Sequence, residues 1–144
     1  MSAVKLIAAF SENKPGYAAR ITKILSDAAI NIRWVTIAGI GGFGVMKLLV
    51  DKQEEAMSRL KQEGVTVNSL EVLIVEVKDQ PGALNAILEC LATSGINLEN
   101  TSGFVANNRA ILVIETHDLA GASNVLRKHG HRLLTQQEIP TRLC

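Results

Sequence analysis

The chain has 144 residues, with 15 basic against 14 acidic side chains and a formal charge of +1. That balance, with no run of like charge, gives no electrostatic footprint for nucleic acid or an anionic membrane. Hydrophobic residues make up 47% of the chain but aromatic residues only 3%, so the core has to be aliphatic.

Lys5 to Phe10 reads as a strand. Lys14-Pro15-Gly16 punctuates, with proline tolerated in a first helical turn because its missing N–H would be unpaired there. Ala18, Ile21, Leu25 and Ala28 follow at helical spacing, which predicts a helix from about Tyr17 to Ala29. Asn31 to Ala38 and Val45 to Val50 read as strands joined by a turn over Gly39 to Gly42. Asp51 opens a second helix with Ala56, Met57 and Leu60 on its apolar face, closed by Gly64. Val65 to Val67 is a short fourth strand.

The same order then returns. Glu71 to Val77 reads as a strand, and Leu84, Ile87, Leu88 and Leu91 form a helical stripe. Leu98 to Val105 and Ala110 to Glu115 read as strands joined by a turn at Asn107-Asn108. Leu119 to Lys128 is a helix closed by Gly130, and Arg132 to Leu134 a last strand. Lys14-Pro15-Gly16 recurs as Gln80-Pro81-Gly82, and Ile30-Asn31-Ile32 as Ile96-Asn97-Leu98. Both offsets are 66 residues (81 less 15, 97 less 31), without insertion or deletion.

This period is too long for a solenoid unit, so the chain reads as two copies of one small domain. The copies cover residues 1–69 and 70–135, followed by a tail over 136–144. Each is βαββαβ, an α+β arrangement with two helices on one face of a four-stranded antiparallel sheet. A unit this small buries only roughly 60% of its unfolded surface, so the halves are expected to pack on each other and on a second chain. Val72-Leu73-Ile74-Val75 lacks alternation. That fits either a locally buried central strand or a strand whose second face meets another sheet.

Other motifs are weaker. Gly39 to Gly44 satisfies G-x-G-x-x-G by letters, but a strand follows where a dinucleotide site needs a helix, and the residue 20 beyond Gly44 is Gly64, not an acid. Gly42 to Met46 echoes an RNA-recognition signature without its basic residue or second aromatic. His117, His129 and His131 have no acid or thiol completing a metal set. Cys90 lies in an apolar helical pattern and reads as an inert core thiol, and the terminal Cys144 is expected to fray. No nucleophile has an adjacent base, so catalysis is not expected, nor is a cofactor. Leu6 to Phe10 is too short for a signal-peptide core or a membrane span, which points to the cytoplasm.

The repeated strand-to-helix loop is the candidate site. Helix starts leave free N–H groups and partial positive charge, suited to a carboxylate, and glycine lets the backbone approach a ligand closely. The plainer reading is that Pro-Gly simply turns the chain into a helix, with Asn13 or Asp79 as a cap. Asn31 and Asn97 add amides at the heads of apolar strands, able to pair with an ammonium or carboxylate.

The Asn13-Lys14-Pro15-Gly16 loop, Ile30-Asn31-Ile32 and the closing helix to Gly64 resemble the ACT domain, and their duplication resembles the small tandem ACT proteins. The resemblance spans Val4 to Thr135. It implies two ferredoxin-like modules that regulate by binding an amino acid where domains meet, without catalysis. In serine-sensing members, an Asn two residues before the Pro contacts the amino acid, and a second Asn, in the Ile-Asn-Ile-like strand of the neighbouring domain, completes the site. Those positions are Asn13 and Asn31 here, and Asp79 and Asn97 in the second copy. A His found in those members two residues before the first Asn is replaced by Ser11 and Val77. Tyrosines that tandem relatives carry near Asn100 and Ser102 are absent.

The candidate ligand residues are therefore Asn13, Lys14, Pro15, Gly16 and Tyr17 with Asn97, and Asp79, Gln80, Pro81, Gly82 and Ala83 with Asn31. The expected partners are a free amino acid and a second copy of the chain in a homodimer. The alternative function is a structural or interaction module that dimerises through its sheets without a small ligand.

Overall fold

The computed structural model describes residues 3–106 and 109–139. The expected turn at Asn107-Asn108 and the terminal Cys144 lie outside them. The chain divides into two units, Lys5–Leu70 and a second built mainly from Glu71 onward.

In the first unit β1 (Val4–Glu12), α1 (Tyr17–Asp27), β2 (Ile32–Ile40), β3 (Phe43–Val50) and α2 (Gln53–Gln62) follow in order, and β4 (Thr66–Val77) begins. The strand order is β2-β3-β1-β4, with β3 antiparallel to both β1 and β2. Ile7 and Ala9 of β1 and Met46, Leu48 and Val50 of β3 point to one face, where Ile21, Leu25, Ala56 and Leu60 of the two helices close over them. The core is aliphatic, and Tyr17 is its one aromatic member. Gly41-Gly42 makes the β2–β3 hairpin, which leaves Ile40 opposite Phe43. The glycine-rich segment is thus a hairpin followed by a strand.

The second unit continues from β4 through α3 (Ala83–Thr93), β5 (Asn100–Ala106), β6 (Arg109–Glu115), α4 (Leu119–Lys128) and β7 (Arg132–Leu133). Its order is β5-β6-β4-β7, the same plan as the first. Leu73 and Val75 of β4 and Leu112 and Ile114 of β6 face Ile87, Leu91, Ala122 and Leu126 of the helices. Cys90 packs at the edge of this core.

The junction differs from the sequence reading. The short strand placed at Val65 to Val67 and the strand placed at Glu71 to Val77 are one continuous twelve-residue strand, β4. Asn68, Ser69 and Leu70 are acceptable in extended backbone, and no Gly or Pro intervenes to break it. Within β4, Val72, Leu73, Ile74 and Val75 are all at most 1% exposed, so the strand is buried on both faces there. The last strand ends a residue early, and Leu134 N–H still donates to the Ile74 carbonyl at 2.8 Å.

After β7 a 3₁₀ turn, Gln136–Glu138, is closed by a capping box between Thr135 and Glu138. The Thr135 backbone N–H donates to Glu138 Oε1 at 3.0 Å, and the Arg132 guanidinium binds the other carboxylate oxygen at 2.5 Å. These contacts favour the ionised form and hold the Glu138 carboxyl below the ordinary glutamate value. A carboxyl lowered in the folded state contributes its full stabilisation above the unfolded value, and loses it as pH falls through the folded value. An NMR titration is expected to place the Glu138 midpoint below the reference value of about 4.3, and Arg132→Gln should raise it. A midpoint at the reference value would refute the contact.

Candidate functional site

The β1–α1 and β4–α3 loops repeat nearly bond for bond. Lys14 N–H donates to the Glu12 carbonyl at 3.0 Å and Gln80 N–H to the Lys78 carbonyl at 2.9 Å. Tyr17 N–H reaches the Lys14 carbonyl at 3.4 Å, and Ala83 N–H the Gln80 carbonyl at 3.3 Å. Gly16 at φ 94° and Gly82 at φ 89° sit in the left-handed region at the helix N-caps, where a Cβ would be strained. Neither Asn13 nor Asp79 makes a side-chain hydrogen bond among the described residues, so neither serves as a helix cap. Each loop thus delivers first-turn N–H groups that have no intrahelical acceptor, beside an uncommitted polar side chain.

The two loops differ in what lies beneath them. In the first unit the Asn13 side chain lies directly against Gly39 of β2, leaving no room for a Cβ there. Tyr17 reaches from the first turn of α1 to β3, its hydroxyl 2.6 Å from where a Cβ on Gly44 would stand. Tyr17 is 8% exposed, and its hydroxyl has no hydrogen-bond partner among the described residues. In the second unit, at the 66-residue offset, Tyr17 is replaced by Ala83, Gly39 by Val105 and Gly44 by Ala110. There the loop borders a cavity of about 510 Å³. Lys78, Asp79 and Gln80 stand at its edge, Leu84, Leu88 and Leu98 on one wall, and Thr101 to Val105 of β5 on the other. The Thr101 hydroxyl in that wall is buried and unpartnered.

The remaining candidate residues are exposed. Asn31 is fixed by its backbone: its N–H donates to Asp51 Oδ1 at 3.0 Å, and its carbonyl accepts from Asp51 N–H at 3.2 Å. Its side chain borders a shallow hollow with Thr22 and Ser26. Asn97 precedes β5 rather than lying on it, and its carbonyl accepts the Thr116 hydroxyl at 2.7 Å. Lys14 pairs loosely with Glu12, 3.5 Å away and exposed. Among the histidines, His117 meets Glu99 at 2.8 Å and His129 donates from Nδ1 to the Val125 carbonyl at 2.9 Å. Among the described residues no three His, Cys, Asp or Glu side chains cluster as a metal site. Leu84, Leu88 and Thr101 are the wall residues that motif reading passed over. Their signal was available only as a difference between the copies, where they replace Ala18, Thr22 and Val35.

The family profile for an ACT domain pair matches residues 2–141. The chain belongs to this family. Its βαββαβ pair is the ACT domain pair, ferredoxin-like in each half. Among solved structures, protein BT0572 from Bacteroides thetaiotaomicron is similar at a TM-score of 0.91 and 28% identity, covering 96% of each chain. The ligand-free regulatory subunit of aspartate kinase from Thermus thermophilus matches at 0.61 and 16% identity, over 88% of this chain and 92% of that one. The corresponding subunit from Thermus flavus matches at 0.58 and 15% identity, over 89% and 96%. At those identities the kinase subunits share the fold. No curated protein matches the chain in sequence. No helix among the described residues is long and apolar enough to cross a membrane.

Tyr17 over Gly44 gives a test of how the first ACT unit is filled. Gly44→Ala should destabilise the protein by about 1–3 kcal/mol through overpacking against the Tyr17 ring. In a Tyr17→Ala background the same change should cost markedly less, because the two sites are coupled through one contact. Equal costs in both backgrounds, measured by denaturant unfolding, would contradict the packing described.

Proposed function

We propose that this ACT domain pair is a non-catalytic regulatory protein that binds a free amino acid at its strand-to-helix loops, with the second loop as the principal site. The observation that carries this reading is the uncommitted Asp79 carboxylate at the edge of a cavity whose walls are largely apolar. Asp79 attracts the ammonium, while Lys78 and the N–H groups at the start of α3 attract the carboxylate. Leu84, Leu88 and Leu98 offer apolar surface to the side chain, and the buried Thr101 hydroxyl offers a polar partner. Gln80, Pro81, Gly82 and Ala83 shape this loop. Asn13, Lys14, Pro15 and Gly16 with Tyr17 form its counterpart, and Asn31 and Asn97 are proposed as further contacts.

The regulatory sense comes from the family and from the two kinase regulatory subunits that share the fold. A ligand that binds one conformation better shifts the population toward it, which is how such a module signals. The proposal includes a homodimer in the cytoplasm.

A thermal-shift screen of the twenty amino acids at millimolar concentration should show a rise in melting temperature, largest for an aliphatic side chain. Asp79→Ala should abolish most of that rise and Asn13→Ala should reduce it less. A screen without any rise would favour the alternative, an interaction module without a small ligand. That alternative draws on Ile40 and Phe43 at the β2–β3 hairpin, which are 83% and 75% exposed.

A further inference from the structure

A second cavity of about 570 Å³ lies in the second unit, between the start of α3 and the turn from α4 into β7. It shares Val77, Lys78 and Gln80 with the cavity described above but extends the other way, toward Arg109, His131 and Arg132. We infer that this cavity is a separate binding site for a small anion bearing a carboxylate or phosphate group.

The comparison between the two copies carries the inference. In the first unit the corresponding place is crossed by the Arg20 side chain. Tyr17 occupies the position of Ala83, and Arg20, in the position of Ala86, donates its guanidinium to the Glu63 carbonyl. With Ala86 in place of Arg20 that contact is missing in the second unit, where Ala83 and Ala86 line the space.

The charges around the opening are likewise confined to the second copy. Lys78, Arg109 and Arg132 stand where the first copy has Glu12, Phe43 and Thr66. Arg109 and Arg132 accompany Glu76, where the first copy has Phe10, and Arg132 also holds Glu138, so the cation of this cavity that no carboxylate answers among the described residues is Lys78. Arg109 and Arg132 both bind Glu76, at 2.7 Å and 3.5 Å, and Arg132 also binds Glu138 at 2.5 Å. That pairing orients the two guanidiniums, and each stays about half exposed, at 44% and 52%. Their remaining N–H groups suit a planar or tetrahedral anion. Lys78 makes no ion pair or hydrogen bond with its side chain among the described residues. An ammonium without a carboxylate partner, beside two oriented guanidiniums, favours a negative group. The start of α3 at Gly82 adds its partial positive charge to the same side.

This site shares Lys78 and the start of α3 with the proposed amino-acid site, but Ala86, Arg109 and Arg132 border only the second cavity and distinguish the two. The test is amide NMR of the full chain titrated with inorganic phosphate and, separately, with succinate, against sodium chloride at equal ionic strength. Either anion is expected to shift the Lys78 to Ile87 and His129 to Arg132 resonances saturably, and the arm with the tighter binding names the group. Lys78→Gln should weaken that binding by about tenfold, as loss of one charge-assisted contact does. Ala86→Arg, which restores the side chain of the first copy at an exposed position, should abolish it while leaving any amino-acid thermal shift intact. Absence of a saturable shift with both anions would overturn the inference, as would unchanged binding in Ala86→Arg protein whose melting shows it folded. A negative amino-acid screen with anion binding present would instead count against the proposed function alone.

Discussion

The left-handed backbone at Gly16 and Gly82 decides how each ACT unit is built around its loop. A positive φ at that point turns the chain out of the strand and straight into a helix. The next residue, Tyr17 or Ala83, then begins the helix beside the sheet end. Because the turn bonds are matched in both copies, the backbone presents the same opening twice. What occupies the opening is left to the side chain that follows the glycine.

The copies use that freedom in opposite ways. In the first, Tyr17 and Asn13 press onto Gly44 and Gly39, two strand positions that only a residue without Cβ can fill at this separation. Burial of the Tyr17 ring contributes hydrophobic stabilisation that offsets an unpartnered hydroxyl. In the second, alanine at position 83 and Ala110 on β6 leave space, and polar or charged side chains gather around it. A duplicated fold carries its stability in the repeated aliphatic stripes, Ile21 and Leu25 in one copy and Ile87 and Leu91 in the other. Those stripes leave the loop region free to diverge, and function on such a fold lives in the divergent residues.

Much of this architecture was legible in the amino-acid order. The helical spacing of Ile21 and Leu25, the Gly64 and Gly130 stops, and the β-branched runs place every helix and nearly every strand within a few residues. The hairpin at Gly41-Gly42 was separable from a dinucleotide loop because a strand follows it. The continuity of β4 was not legible. A short polar stretch at Asn68-Ser69 reads locally as a break, whereas strand pairing keeps it extended. The loops and the two asparagines were found as repeated letters, but repeated letters emphasise what the copies share. Leu84, Leu88, Thr101 and Ala86 matter here because they do not repeat.

The sequence by itself determined the duplication, the βαββαβ plan of each half and the position of the Pro-Gly loops, because periodicity and turn chemistry are local properties of the chain. Only the tertiary structure decided that Tyr17 spans from helix to strand and closes one loop region while Ala83 leaves the other open. Whether a side chain fills a space depends on the distance to a strand some 27 positions away, Tyr17 to Gly44, and that distance exists only once the sheet has formed.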